Sequence, residues 1–137
     1  MQIAGWAVVL TLLLGGLAAP VDGSEVSTVY VLPVQGELDP GLARFVERAV
    51  REARSLGARA ILVEVSTLGG RLDATLDIYD ALVTSGIPVH VVILDRAWSG
   101  GVLISLGGET LWMMSGTSIG AAEPRPLDEK ALSAWRG

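Results

Sequence analysis

The sequence predicts an α/β fold in which repeated βαβ units build a mostly parallel sheet. Apolar segments with strand character alternate with segments whose apolar residues recur every three or four positions, as on one face of a helix. The second and third strand segments are almost continuously apolar, which is typical of parallel strands. Glycine-rich turns follow several strands, where α/β folds place their sites. With 137 residues, half of them apolar, the chain can form one domain.

The first element is an apolar segment at the N-terminus. Residues 3–19 carry no charge, and residues 17–19 and 21–23 suit signal peptidase. The segment is long for a signal-peptide core and short for a membrane span. We therefore predict a secretory signal peptide, or an uncleaved membrane anchor, over residues 1–23. The domain over residues 24–137 is then expected to lie outside the cytoplasm.

The first strand and helix of the domain are predicted before residue 57. Residues 28–34 have β character, and Pro33 indicates an edge strand or the end of a strand. Asp39 followed by Pro40 is a typical helix start, and Gly57 ends the helix. One face of this helix is apolar and is expected to pack on the sheet; it consists of Leu42, Phe45, Val46, Ala49, Val50, Ala53 and Leu56.

The second unit begins with a strand at residues 60–65, which we expect to be covered on both faces. Residues 66–71 are predicted to form a loop with two adjacent glycines. The helix that follows has an apolar face made of Leu72, Leu76, Tyr79, Leu82 and Val83. Its other face carries three carboxylates, whose spacing indicates a solvated stripe rather than a metal site: Asp73, Asp77 and Asp80.

The third unit contains a strand at residues 89–94, a turn at residues 95–101 and a short apolar helix. A fourth strand is predicted at residues 110–114, followed by a loop of small residues at 115–124. A further helix opens at Asp128 and is still in progress where the sequence stops. We therefore expect the domain to be incomplete at its C-terminus.

Ser99 is the candidate nucleophile, because it lies at the junction of the third strand and its helix, directly before Gly100 and Gly101. Such a turn exposes a hydroxyl, and the helix start offers backbone N–H groups to a developing negative charge. Serine is also a common N-cap, so an ordinary helix start explains the junction as well. His90 is a poor base for Ser99, since an extended strand separates the two by roughly 20 Å or more.

The composition argues against several classes of function. The net charge is −5 without a basic patch, which argues against a nucleic-acid partner. The absence of cysteine excludes disulfides, cysteine-based zinc sites and thiol nucleophiles. The single histidine excludes a metal site built on several histidines. We predict neither a metal nor another cofactor.

Three segments together carry a family pattern: Thr67-Leu68-Gly69-Gly70-Arg71, Ala97-Trp98-Ser99-Gly100-Gly101, and residues 116–124. In this order and spacing they resemble the NfeD family, membrane-associated serine proteases of the Clp protease and crotonase superfamily. The resemblance covers the chain from residue 29 to its end. It implies a Clp/crotonase-like fold, a catalytic pair of serine and lysine, and a serine endopeptidase of the membrane-bound NfeD type.

The resemblance also assigns roles to residues. Ser99 matches the nucleophile, and Lys130 matches the lysine base; the N–H groups of Gly70 and Gly100 match the oxyanion hole. Gly69 and Trp98 are expected to bind substrate, although a tryptophan at this position could also pack in the core. Two departures are notable: Leu68 replaces the usual proline, and Trp98 replaces a small residue.

Partners and alternatives follow from the same resemblance. It implies a peptide or membrane-protein substrate, a stomatin- or prohibitin-like partner, placement outside the cytoplasm and a homo-oligomer, expected to be a dimer. Trp98 and the early end of the chain favour an alternative, a catalytically inactive scaffold for such a membrane partner. A crotonase-like enzyme acting on acyl thioesters is a third reading, which leaves Ser99 and Lys130 without a role.

Overall fold

The structure is a computed structural model that describes residues 28–123. Within this part, strands and helices alternate: β1 Val29–Leu38, α1 Pro40–Ser55, β2 Ala60–Gly70, α2 Leu72–Val83, β3 Val89–Trp98, α3 Gly100–Leu106, β4 Thr110–Met113 and β5 Ser118–Gly120. The segment 1–23, Lys130 and the helix predicted to open at Asp128 lie outside the described residues.

The sheet is parallel at every pairing, with the strand order β1-β2-β3-β4. β3 is flanked on its outer side by two short strands in succession. β4 pairs with His90–Ile93, and β5 pairs with Arg96–Trp98. The predicted α/β fold with a mostly parallel sheet is therefore confirmed.

The core lies between one face of the sheet and the three helices. The inward side chains of β1, β2 and β3 are fully buried there: Leu32, Val34, Ile61, Val63, Val65, Val91 and Ile93. α1 covers them with Val46 and its neighbouring alanines, and α2 adds Ile78 and Leu82. At roughly 1.5–3 kcal/mol for each large apolar side chain removed from water, this layer supplies the main driving force for the fold.

The opposite face of the sheet is open within residues 28–123. Val31 is 50% exposed and Leu94 39% exposed, and alternate residues of β2 are only partly buried. The prediction that β2 is covered on both faces is therefore wrong for the described part of the chain. The nearly continuous apolar run of β2 does not distinguish a strand with one covered face from a strand with two.

The start of α1 agrees with the prediction, whereas the buried face of α2 differs from the predicted one. The Asp39 carboxylate accepts a hydrogen bond from Leu42 N (2.7 Å) and caps α1, with Pro40 as the first helical residue. The buried face of α2 is Ala74, Thr75, Ile78 and Leu82. Leu72 and Val83, predicted on that face, are about half exposed (52% and 46%) because they lie in the terminal turns of the helix.

Three strands are longer than predicted, and all three extensions lead to the candidate site. β1 continues past residue 34 to Leu38, β2 includes the predicted loop as far as Gly70, and β3 includes the predicted turn as far as Trp98. β5 lies inside the predicted small-residue loop and pairs with the extension of β3. The glycines and polar residues that indicated a loop lie in the strands at register shifts of the β1–β2 and β2–β3 pairings. None of the helices within residues 28–123 is long and apolar enough to cross a membrane.

Candidate active site

The carboxyl ends of β1, β2, β3 and β5 meet at one edge of the sheet. They bring Leu38, Gly70, Trp98 and Gly120 to that edge. Ser99 follows the last residue of β3 directly, and its N–H donates a hydrogen bond to Gly120 O (2.9 Å). In parallel α/β sheets this edge is where binding and catalytic groups are built.

Ser99 has a backbone conformation that few residues with a side chain adopt. Its φ is 52° and its ψ is −117°. Non-glycine residues at such angles store on the order of 1–3 kcal/mol of strain and are concentrated at functional sites. Although Ser99 occupies the N-cap position of α3, its hydroxyl makes no capping hydrogen bond. The hydroxyl is thus held at the surface without the structural role that an N-cap serine normally has.

Gly69 lies directly against Ser99. A Cβ atom on Gly69 would fall 2.7 Å from Ser99 Cβ, closer than real Cβ atoms come, and 3.1 Å from Ser99 Oγ. Its φ of +102° also disfavours any side chain. The sequence predicts that Gly69 binds substrate, but it does not indicate that Gly69 packs against the Ser99 side chain.

The two predicted oxyanion donors lie on either side of this contact. Arg71 N–H donates to Leu38 O of β1 (2.8 Å), and successive N–H groups along a strand point in opposite directions. The Gly70 N–H therefore points away from β1, toward β3. Gly100 follows Ser99, and a Cβ on it would meet Thr75 Oγ1 at 2.5 Å. Glycine at both positions permits the close packing of β1, β2 and α3 around Ser99.

Trp98 lies on the surface beside Ser99. Its indole N–H donates to Ser118 Oγ (2.9 Å), and the Arg96 guanidinium carbon lies 5.5 Å from the ring centroid. Trp98 is 38% exposed, so it does not pack in the core. The hydrogen bond to β5 fixes the orientation of the ring at the edge of the site.

A cleft of about 580 Å³ opens on the uncovered face of the sheet next to this edge. Gln35 and Glu37 of β1, Leu68 of β2, and Asp95 and Arg96 of β3 line it. Leu68 precedes Gly69, so the cleft ends one residue from the Ser99 contact. It is large enough to hold several side chains of a peptide.

Two exposed ion pairs lie near the edge: Arg96 binds Asp95 in β3 (2.7 Å), and Arg71 binds Asp73 at the start of α2. The Arg71 guanidinium binds both carboxylate oxygens of Asp73 (3.0 and 2.6 Å), and Ala74 N–H donates to the same carboxylate (2.9 Å). These bonds, chiefly that to Arg71, lower the pKa of Asp73 to about 2. Arg71 is therefore paired along the first turn of α2. Both side chains are exposed, so the pair contributes little to stability.

His90 lies at the far end of β3 from Ser99. Nine residues of extended strand at about 3.3 Å each separate them by roughly 30 Å. His90 Nδ1 is within 2.8 Å of Thr110 Oγ1, and its ring packs on Trp112 (centroids 5.7 Å apart). As predicted, the single histidine is a sheet residue remote from Ser99. The stripe of Asp73, Asp77 and Asp80 is exposed, and residues 28–123 contain no cluster of three or more groups that could hold a metal ion.

Thr67 is a site residue for which sequence reasoning gave no role. It belongs to the glycine motif, but its hydroxyl contacts are set by the irregular pairing of β1 and β2. The signal in the sequence is a threonine two residues before paired glycines, and its burial is evident only in the structure.

The fold is shared with solved structures of ClpP-like proteases. The 1510-N membrane-bound stomatin-specific protease, solved as a lysine-to-alanine mutant with a substrate peptide, superposes with a TM-score of 0.68 at 35% identity. The match covers 72% of this chain and 46% of that one. ClpP1 from Listeria monocytogenes has a TM-score of 0.69 at 20% identity, over 76% of this chain and 64% of its own. The chain thus has a ClpP-like protease fold.

The family follows from a domain-wide sequence match. A protein-family model described as the N-terminal domain of NfeD1b matches residues 28–137, and the chain belongs to this family. The membrane protein NfeD1b of Bacillus subtilis is 34% identical over 117 residues, which cover 82% of this chain and 27% of that protein. The membrane-bound protease PH1510 of Pyrococcus horikoshii is 34% identical over 111 residues, or 79% and 25%. The chain thus spans about a quarter of the length of these curated relatives.

Proposed function

We propose that the protein is a membrane-bound serine endopeptidase of the NfeD type, with Ser99 as nucleophile and Lys130 as base. The observation that carries the proposal is the Ser99 backbone, which holds an uncapped hydroxyl against Gly69 at the carboxyl edge of the sheet. The relatedness to a membrane-bound protease supports it. The remote position of His90 also supports a base other than histidine.

The first chemical step is attack on a peptide carbonyl. Ser99 Oγ forms a bond to the carbonyl carbon while the neutral Lys130 amine accepts the hydroxyl proton. The carbonyl π electrons move to the oxygen, which becomes an oxyanion. The N–H groups of Gly70 and Gly100 stabilise this charge, which is larger in the tetrahedral intermediate than in the substrate.

The second step breaks the peptide bond. The tetrahedral intermediate collapses to an acyl-enzyme ester on Ser99, and Lys130 returns its proton to the departing amine. Water then attacks the ester with Lys130 as base, which releases the acid product and restores the Ser99 hydroxyl. Lys130 is neutral again after the amine has departed, and again after the ester is hydrolysed and Ser99 takes back its proton, so the pair turns over without a cofactor.

Substrate recognition is assigned to the surroundings of Ser99. Gly69 and Trp98 line the substrate position, and Leu68 extends it into the cleft. Leu68 is 62% exposed. With the indole of Trp98, its side chain gives the site an apolar character, which suits an apolar peptide segment.

The remaining assignments follow from the relatives. We propose that residues 1–23 export or anchor the chain and that residues 24–137 act outside the cytoplasm, as a dimer. A stomatin- or prohibitin-like membrane protein is the proposed partner or substrate, since one relative is described as stomatin-specific.

Labelling with a fluorophosphonate tests the proposed function. The 137-residue chain and the complete reading frame that contains it are treated with the probe, and the modified residue is identified by mass spectrometry. We expect one adduct, at Ser99, that forms on folded protein and is absent after denaturation. If the folded complete protein forms no adduct, the peptidase is ruled out and the scaffold for a membrane partner takes its place.

Replacing Gly69 by alanine is expected to block labelling and to destabilise the fold. The new Cβ would overlap Ser99 and would occupy a positive φ, which together cost about 2–4 kcal/mol in the free energy of unfolding. Denaturant titration and the labelling rate measure the two effects.

Gly57→Ala is the matched control for this change. Gly57 also has a positive φ of +65°, but a Cβ there would contact nothing within 4 Å. It is expected to cost about 1–2 kcal/mol and to leave labelling unchanged. A Gly69→Ala protein that labels at the unsubstituted rate would contradict the close contact with Ser99.

A further inference from the structure

Thr67 lies where two strand pairings lose their regular register. The β1–β2 register shifts between Gln35 and Glu37, and the β2–β3 register shifts between Val65 and Thr67. A shift of this kind leaves backbone groups without their ladder partners. The Thr67 side chain is 2% exposed and lies at this point, two residues before Gly69.

The Thr67 hydroxyl replaces the missing ladder bonds. It donates to Gly36 O (2.5 Å) and accepts from Gly69 N–H (2.9 Å). Gly36 of β1, with a φ of +83°, lies opposite the extra residue that β2 holds between Ser66 and Gly69. Gly69, with a φ of +102°, kinks the end of β2 against Ser99. One side chain within the bulge of β2 therefore ties Gly36 of β1 to Gly69, using its one donor and one of its lone pairs.

The methyl group of Thr67 contacts the other half of the site. A Cβ on Gly101 would fall 2.7 Å from Thr67 Cγ2, so the first turn of α3 packs directly on this methyl. Ala97, two residues before Ser99, is the register partner of Thr67 in β3. The side chain thus lies between the turn at Gly69 and the backbone that carries Ser99.

We propose that Thr67 is a positioning residue that fixes the Gly69–Gly70 backbone relative to Ser99. The inference rests on the proposed function, in which Ser99 is the nucleophile and Gly70 an oxyanion donor. Without the hydroxyl, the buried Gly69 N–H loses its partner, the link to the Gly36 carbonyl is lost, and the backbone at Gly69 relaxes. The oxyanion donor then moves from its place while the substrate cleft remains.

Two matched pairs of variants test this role. Thr67→Val keeps the shape and the methyl group but removes the hydroxyl. Thr67→Ser and Thr67→Cys both lack the methyl and differ in the strength of their hydrogen bonds. Thr84→Val is the control, since it removes a hydroxyl bond to a helix carbonyl (Thr84 Oγ1 to Asp80 O, 2.6 Å) outside the site.

Two measurements are made on each folded variant of the complete protein. Hydrogen exchange of the Gly69 amide reports the bond to Thr67, and fluorophosphonate kinetics separate the maximal labelling rate from the probe concentration at half that rate. For Thr67→Val we expect faster exchange at Gly69 and a maximal rate lowered about 10- to 100-fold, as for small misplacements of catalytic groups. The half-rate concentration stays unchanged, and Thr67→Ser retains the maximal rate.

The outcomes separate this inference from the proposed function. If the wild type is labelled and Thr67→Val has the same maximal labelling rate, the positioning role alone is overturned. The same holds if Thr84→Val lowers the maximal rate as much as Thr67→Val does. A wild type that is never labelled overturns both. If Thr67→Val does not fold, the Thr67→Ser and Thr67→Cys pair decides: equal maximal rates in the two overturn the inference, and a lower rate in the cysteine variant supports it.

Discussion

Ser99→Ala is expected to abolish fluorophosphonate labelling and to lower cleavage of an apolar peptide by about 10⁴-fold or more, as loss of a serine nucleophile does in other peptidases. The substitution removes the only atom proposed to bond to the substrate carbon. It leaves the backbone N–H groups of Gly70 and Gly100 in place, so any residual rate measures the oxyanion donors. Mass spectrometry of the probe adduct and a fluorogenic peptide assay provide the two readouts.

The fold should tolerate this change, which makes the result interpretable. The Ser99 hydroxyl makes no capping hydrogen bond, and the backbone bonds of Ser99 to Gly120 and Val102 do not involve its side chain. Ser55→Ala is the control: its hydroxyl bonds to Glu52 O (2.8 Å) at the end of α1, outside the site. Labelling that persists in Ser99→Ala would place the nucleophile elsewhere and would leave the strained turn without a catalytic explanation.

The architecture could be predicted because it depends on apolar periodicity and on helix-capping residues, which are visible in the sequence. The apolar periodicity of α1 and the Asp39–Pro40 start placed that helix to within a residue or two. The apolar runs placed the cores of β2 and β3 in the same way. The uncovered sheet face was not predictable, since an apolar residue such as Val31 looks the same whether it faces a helix or water.

The strand extensions toward the site were not predictable for a different reason. The residues Ser66 and Thr67 have a loop-like composition. Ser66 becomes strand by continuing the regular pairing with Gln35, and Thr67 pairs with Ala97 beyond the register shift of β2 and β3. Ser118–Gly120 has no strand pattern of its own and is recruited by the end of β3. Pairing of this kind depends on tertiary context rather than on local propensity.

The sequence predicts which residues belong to the candidate site but not how they are arranged in space. The strand–serine–glycine junction singled out Ser99, yet the positive φ that distinguishes it from an N-cap is a backbone property. The close approach of Gly69 to the Ser99 side chain is likewise a property of the fold that no sequence pattern indicates. The sequence does not show whether Trp98 lies in the core or at the surface. In the structure it lies at the surface, where its indole in β3 donates to Ser118 of the neighbouring β5.

Lys130→Ala is expected to lower the labelling rate of Ser99 by about 10²–10⁴-fold, the usual contribution of a general base. Lys130→Arg should not restore the rate, because a guanidinium stays protonated and cannot accept the proton. Arg44→Ala, which removes one exposed cation from α1, is the control for the change in net charge. Labelling that is unchanged in Lys130→Ala would rule out the dyad while leaving Ser99 as the nucleophile.

The pH dependence gives a second, independent measure of the same base. A lysine serves only in its neutral form, so labelling should rise with pH through a lysine pKa well below its ordinary value. Lys130 is the only lysine in the sequence, so ¹³C reductive methylation gives one side-chain resonance whose titration reports this pKa directly. Between the folded and unfolded pKa values the unfolded chain binds more protons, so the free energy of unfolding should rise with pH there. If Lys130 titrates as an ordinary exposed lysine, the base must be another group. The carboxylates of the adjoining cleft, Glu37 and Asp95, are then the next candidates.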